Sequence, residues 1–261
     1  MPRHMDLEAR NMVYDLQKAS MLKRVSAWLL DIILLLVVAV GAMALVSMVV
    51  DVDGQLDRLN AIYARYEQDF NIDFEKTADQ MTEEERSAYE KAQEAFNANV
   101  EDQRAYDAVL NTILLAISSG ILIAYVLLEI LIPLWLKNGQ TLGKKAFGVG
   151  VMRTDGVKMT TFMLFVRTIL GKYTIETMLP VYLIMLILFS TGGMFSLLLL
   201  GLILLLQVIF IAATRTNSAI HDLLACTVTV DLASQMIFES PEELLEYQKK
   251  VHEEAANRAE Y

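Results

Sequence analysis

One stretch constrains this chain more than any other: Lys23-Arg24-Val25-Ser26-Ala27-Trp28-Leu29-Leu30-Asp31, followed by an apolar run that continues to Val50. Between Val25 and Val50 the only ionisable side chain is Asp31. A helix needs about 20 apolar residues to cross a bilayer, so 25–50 is predicted to be a membrane span. Arg24 and Asp31, seven residues apart, share one helix face at roughly 10 Å separation. Arg24 reaches headgroups or water, whereas Asp31 lies about two turns inside. A carboxylate at that depth costs on the order of 3 kcal/mol unless it is paired, hydrated or protonated. The rest of the chain is therefore expected to supply a partner for Asp31.

Composition agrees with a small polytopic membrane protein: 55% of the 261 residues are hydrophobic. The net charge of −10 is uneven, because residues 51–110 hold sixteen acids against six bases. Such a balance gives no reason to expect a nucleic-acid partner. Cys226 is the only cysteine, which rules out an intrachain disulfide and a CxxC site. The first run is too long, and lacks the small-residue cleavage site, for a cleaved signal peptide; it reads as an anchor. Neither Asp51-Val52-Asp53-Gly54 nor Asn71-Ile72-Asp73-Phe74-Glu75 opens a loop with the glycine at position six that a helix–loop–helix calcium site requires. No metal site and no cofactor are expected.

Residues 1–24 form a cytoplasmic or interfacial lead-in, with Met12, Val13, Leu16 and Leu22 apolar and Lys18, Lys23 and Arg24 flanking the span. The positive-inside tendency puts the N-terminus in the cytoplasm. Residues 51–110 are predicted to be an acidic extracytoplasmic helical hairpin that extends the first two spans as a two-helix coiled coil. Its first seam is Leu56, Leu59, Tyr63, Tyr66 and Phe70; its second is Tyr89, Ala92, Phe96, Tyr106 and Leu110. Thr82-Glu83-Glu84-Glu85 is a capping box opening a helix over 82–110. The second span is 111–136. Residues 137–172 carry seven bases against Asp155 alone, a cytoplasmic signal. They comprise a loop, a β-hairpin turning at Asp155-Gly156, and an interfacial helix from 160 that carries Arg167. Lys144 and Lys145 are assigned to anionic headgroups. The third span is 173–190, with Glu176 at its inner end and a kink at Pro180; Thr191-Gly192-Gly193 is an outer turn. The fourth span is 194–213. Residues 214–261 begin with Arg215, continue after His221-Asp222 as a strand-like run able to add to the hairpin over 149–159 as a small sheet, and end as a polar helix capped by Ser240-Pro241-Glu242-Glu243. The fold class expected is an all-α membrane protein with four transmembrane helices, an extramembrane helical hairpin and a small cytoplasmic β-hairpin, both termini being cytoplasmic.

The candidate site follows from depth. Glu129, the one acid of the second span, lies eight residues before Lys137, and Asp31 lies about as far from its own cytoplasmic end. The spans are antiparallel, so both carboxylates fall at nearly the same level. Such a pair can share a proton or hold a monovalent cation, or each acid can pair with a boundary base and fix helix packing. Asp31 and Glu129 are the candidates that depth gives, with Arg167, Glu176, Arg215 and His221 in support.

These residues resemble the RDD family of small bacterial membrane proteins, named for one Arg and two Asp. Arg24 and Asp31 match its first motif, Lys-Arg-x3-Trp-Leu-x-Asp. Asn138-Gly139-Gln140-Thr141-Leu142-Gly143-Lys144-Lys145 and Val151-Met152-Arg153-Thr154-Asp155-Gly156 look like its central loop, and His221-Asp222-Leu223-Leu224-Ala225 its closing motif. The resemblance implies that Asp222 is the second Asp and adds Arg24 and Asp222 to Asp31 and Glu129 as primary candidates. Two features depart from the pattern: the insertion over 51–110 is long, and Cys226 stands where glycine is typical. Cys226 with His221 five residues away is a thin candidate for acyl transfer, so no enzymatic chemistry is expected; the resemblance implies a multi-pass protein of the cell membrane. It implies a transport-related role such as cation/proton exchange through buried carboxylates, or an accessory or scaffold role in which the acidic hairpin binds a membrane-protein partner. An oligomer is expected where a transport path must be enclosed.

Overall fold

The computed structural model describes residues 17–77, 79–136, 139–188, 193–214 and 216–259. Met12, Val13, Leu16, Arg215 and the turn residues Thr191 and Gly192 lie outside them. In chain order the elements are α1 (Met21–Val49), α2 (Val52–Phe70), α3 (Glu83–Ala98), α4 (Val100–Leu136), α5 (Leu142–Ala146), β1 (Val149–Arg153), α6 (Thr161–Leu188), α7 (Gly193–Ala213), α8 (Ile220–Leu224), β2 (Thr227–Asp231) and α9 (Pro241–Ala259). Four of these helices, α1, α4, α6 and α7, are long and apolar enough to cross a membrane. Their outward side chains, such as Leu198, Leu202 and Leu205 of α7, are large, apolar and exposed. In water such surface would collapse or aggregate; against acyl chains it is at rest.

The chain divides into two compact units, one spanning Val38–Ile121 and the other the segments before and after it. Within the Val38–Ile121 unit, Asp51 takes a left-handed conformation (φ 54°) and its carboxylate accepts from the Gly54 N–H at 3.3 Å, which ends α1 and starts α2. The Thr82–Glu85 capping box opens α3, with Glu85 N–H donating to Thr82 Oγ1 at 3.2 Å and Thr82 N–H to Glu85 Oε2 at 2.8 Å. The helix expected over 82–110 is broken at Asn99. Its extended backbone stops α3, and its side-chain oxygen accepts from the Glu101 and Asp102 N–H groups, so that α4 begins afresh. Phe96 sits among Tyr63, Tyr66 and Tyr106, and Phe74 between Tyr63 and Tyr89. Asp102 is buried there, accepting from Tyr66 Oη at 2.8 Å and pairing with Arg65 at 2.5 Å.

In the other unit β1 pairs antiparallel with β2, placing Val149 opposite Asp231, Val151 opposite Thr229 and Arg153 opposite Thr227. The expected hairpin partner of β1, residues 157–159, contributes only the bridge between Met152 and Lys158. The distant β-branched strand wins because it offers five successive pairs. Met152, Val228 and Val230 are buried together on the sheet, and Val157, Phe238 and Leu244 form a second buried cluster.

Residues 160–172 and 173–190, expected to be an interfacial helix followed by a span, run together as α6. No breaker separates them, and the charge that argued for a boundary is neutralised in place. From Val166 to Met178 α6 winds as a π-helix, and α4 does the same from Val126 to Leu131. Each widened stretch ends two residues before a proline, Pro180 and Pro133. A proline removes an N–H donor and collides with the carbonyl four residues back, so the wider i→i+5 ladder relieves the preceding turn.

Candidate functional site

The carbonyl deprived by Pro133 belongs to Glu129, and the Thr168 hydroxyl supplies the missing donor at 3.2 Å. This fastens α4 to α6 beside the Glu129 side chain. Glu129 is 4% exposed, and its Oε1 accepts from Lys172 Nζ at 2.6 Å. Its Oε2 is buried with no hydrogen-bond partner.

Asp31 is held by α5. The Thr141 hydroxyl and the Gly143 N–H, at 2.8 Å, both donate to its carboxylate, and Lys144 Nζ stands 3.7 Å away. The approach requires glycine: a Cβ at Gly143 would fall 2.2 Å from the Ala27 carbonyl oxygen and 2.8 Å from Asp31 Cγ. The assignment of Lys144 to headgroups is thereby corrected. Lys144 is buried against Asp31, and only Lys145 is exposed. Burial, reinforced by Lys172, lowers the Lys144 ammonium to about 8.

Arg167 is the largest fully buried side chain among the described residues, and its Nε donates to Asp222 Oδ1 at 2.9 Å. The hydroxyl of Thr227 also donates to Asp222, at 3.0 Å. Burial alone would raise the Asp222 carboxyl, but Arg167 and then His221 outweigh it and hold the group well below the usual carboxylate range. His221 meets Glu176 twice, through its backbone N–H at 2.9 Å and through Nδ1 at 2.8 Å. Burial lowers the His221 imidazole. Gly171 makes room for α8, since a Cβ there would lie 2.5 Å from His221 Cβ. Cys226, which turns the chain from α8 into β2, has φ 51°, the left-handed conformation glycine adopts freely.

Arg24, named together with Asp222 in the sequence, instead donates to the backbone carbonyls of Asn217 at 2.6 Å and Thr216 at 3.4 Å. It ties α1 to the chain leaving α7. The guanidinium that neutralises Asp222 comes from α6.

Arg24, Asp31, Glu129, Arg167, Glu176, His221 and Asp222 line one cavity of about 520 Å³, together with Lys144 and Lys172. Sequence reasoning missed Lys144, Lys172 and Gln207 as members of this lining and Thr141 as a donor to Asp31. The signal for Lys172 was present but hidden by periodicity. Arg167 and Glu176 are nine residues apart, about two and a half α-helical turns, and would face opposite ways. The π winding of α6 adds nearly a residue per turn and brings Arg167, Lys172 and Glu176 to one side.

Apolar helices that suit a bilayer, with their ionisable groups gathered in matched pairs around one cavity, define a helical protein of membrane type. The chain belongs to the RDD family, whose model matches residues 18–226. Neither curated proteins nor solved structures give a match.

Proposed function

We propose that this RDD-family protein is a multi-pass cell-membrane protein with cytoplasmic termini that exchanges protons against a monovalent cation, without enzymatic chemistry. Asp31 and Glu129 are the exchanging carboxylates in this reading. The observation that supports it is the unpartnered Oε2 of Glu129, nine-tenths buried and lining the same cavity as Asp31. A buried carboxylate oxygen without a donor is a standing acceptor for a proton or a cation. Lys144 lies beside Asp31 and releases its proton at about 8, so it sets whether Asp31 faces a cation or a neutral amine. In proteoliposomes with an imposed pH gradient, cation-dependent dissipation is expected, with an inflection near pH 8. Asp31→Asn and Glu129→Gln are each expected to abolish it, and Lys144→Met to remove the inflection. Flux unchanged in both carboxylate variants sinks the reading.

A second reading is favoured by the separate pairing of each acid, Glu129 with Lys172 and Asp31 with α5. In it the charges only lock the helices, and residues 51–110 form an extracytoplasmic hairpin that binds a partner protein. Replacing 55–106 by a short connector then leaves insertion intact and loses that partner.

A further inference from the structure

The cavity is built from two kinds of surface. Trp28, Ile32 and Leu35 of α1 and Ile203, Leu204 and Ile211 of α7 give it apolar walls. Its polar residues balance: Arg24, Lys144, Arg167 and Lys172 stand against Asp31, Glu129, Glu176 and Asp222. A floor of that kind matches a ligand carrying both signs. Two acceptors on the lining have no hydrogen-bond partner, Glu129 Oε2 and Gln207 Oε1. Whatever completes them must bring N–H or O–H donors. Arg24 spends one bond from each terminal nitrogen on a carbonyl, which leaves further guanidinium N–H groups for an acceptor.

Size narrows the class. About 520 Å³ is room for roughly seventeen waters at about 30 Å³ each, far more than one bare cation fills. It falls in the range of organic-ligand sites. The apolar walls give water few partners, whereas an acyl chain suits them. They also belong to two helices whose outward faces are lipid-compatible.

We propose that the cavity binds one membrane phospholipid with a primary-ammonium headgroup. The ammonium donates to Glu129 Oε2 and Gln207 Oε1, the phosphate lies against Arg24, and the upper acyl chain rests on Trp28, Ile32 and Ile203. A quaternary choline headgroup has no N–H to offer and is discriminated against. The inference goes beyond cation exchange. It shares Glu129 with that reading but needs neither gradient nor flux, so binding is measured without either.

The full chain, in a Trp135→Phe background that leaves Trp28 as the sole tryptophan, is reconstituted in phosphatidylcholine vesicles. It is titrated with phosphatidylethanolamine carrying brominated acyl chains, and separately with brominated phosphatidylcholine of the same chains. Trp28 fluorescence is expected to be half-quenched at about tenfold lower mole fraction of the ethanolamine lipid, the size of one charge-assisted hydrogen bond. Glu129→Gln and Gln207→Leu are each expected to reduce that preference several-fold. Gln207→Leu disturbs none of the ion pairs and keeps the test meaningful if Glu129→Gln folds poorly. Equal quenching by the two lipids, or a preference that survives Gln207→Leu intact, overturns the proposal. Relief of quenching by free ethanolamine also overturns it, in favour of a soluble amine.

Discussion

The two units treat buried charge in opposite ways. In the unit containing α5, α6 and α8, the acids Asp31, Glu129, Glu176 and Asp222 each meet a base or a histidine, and the Arg167–Asp222 pair is almost wholly enclosed. In the unit of α2 and α3, most acids face outward and the interior is a run of aromatic rings, with Asp102 buried between Tyr66 and Arg65. Arg65 itself is half exposed. Water can therefore replace it, as it cannot replace Arg167. The difference teaches that water cushions the loss of a partner in one unit and cannot do so in the other. Low dielectric magnifies both the attraction and the cost of losing one partner.

Breaking one member of the enclosed pair is the largest expected effect. Arg167→Met or Asp222→Leu alone should cost about 3–5 kcal/mol, seen as a large fall in thermal midpoint in detergent, while the double variant regains most of it. Asp102→Leu, the matched change in the other unit, should cost only about 1–3 kcal/mol. Equal losses would erase the contrast. Cys226→Gly should raise the midpoint by the equivalent of about 1 kcal/mol, because Cys226 holds a left-handed backbone conformation at the junction that presents Asp222. The smallest effect lies on the surface. The bond from Lys76 and the cap on the Thr82 N–H depress the Glu85 carboxyl from 4.5 to about 2. A depressed acid stabilises above its unfolded value, so this contribution is complete above pH 4.5 and fades as pH falls toward 2. Hydrogen exchange of α3 against pH should show it, and Lys76→Met should flatten it.

The apolar runs of α1, α4 and α7, and the later half of α6, were legible because hydrocarbon length is a one-dimensional constraint. So was the need of Asp31 for a partner, and so was the Thr82 cap. The partners themselves were not legible. Depth along a helix follows from counting, but direction around it follows only if the winding is known, and α6 winds unexpectedly. Lys144 and Lys145 are alike in sequence, yet a five-residue helix buries one and exposes the next. Asn99 lies inside the helix expected over 82–110, yet its side chain competes for backbone donors and ends α3.

The widened stretch of α6 makes the arithmetic of the chain as important as its chemistry. Deleting one residue between Val166 and Met178 would turn everything downstream by roughly a quarter of a circle. Glu176 would swing off His221 although every functional side chain was still present. In this helix an omission is a harsher edit than most replacements.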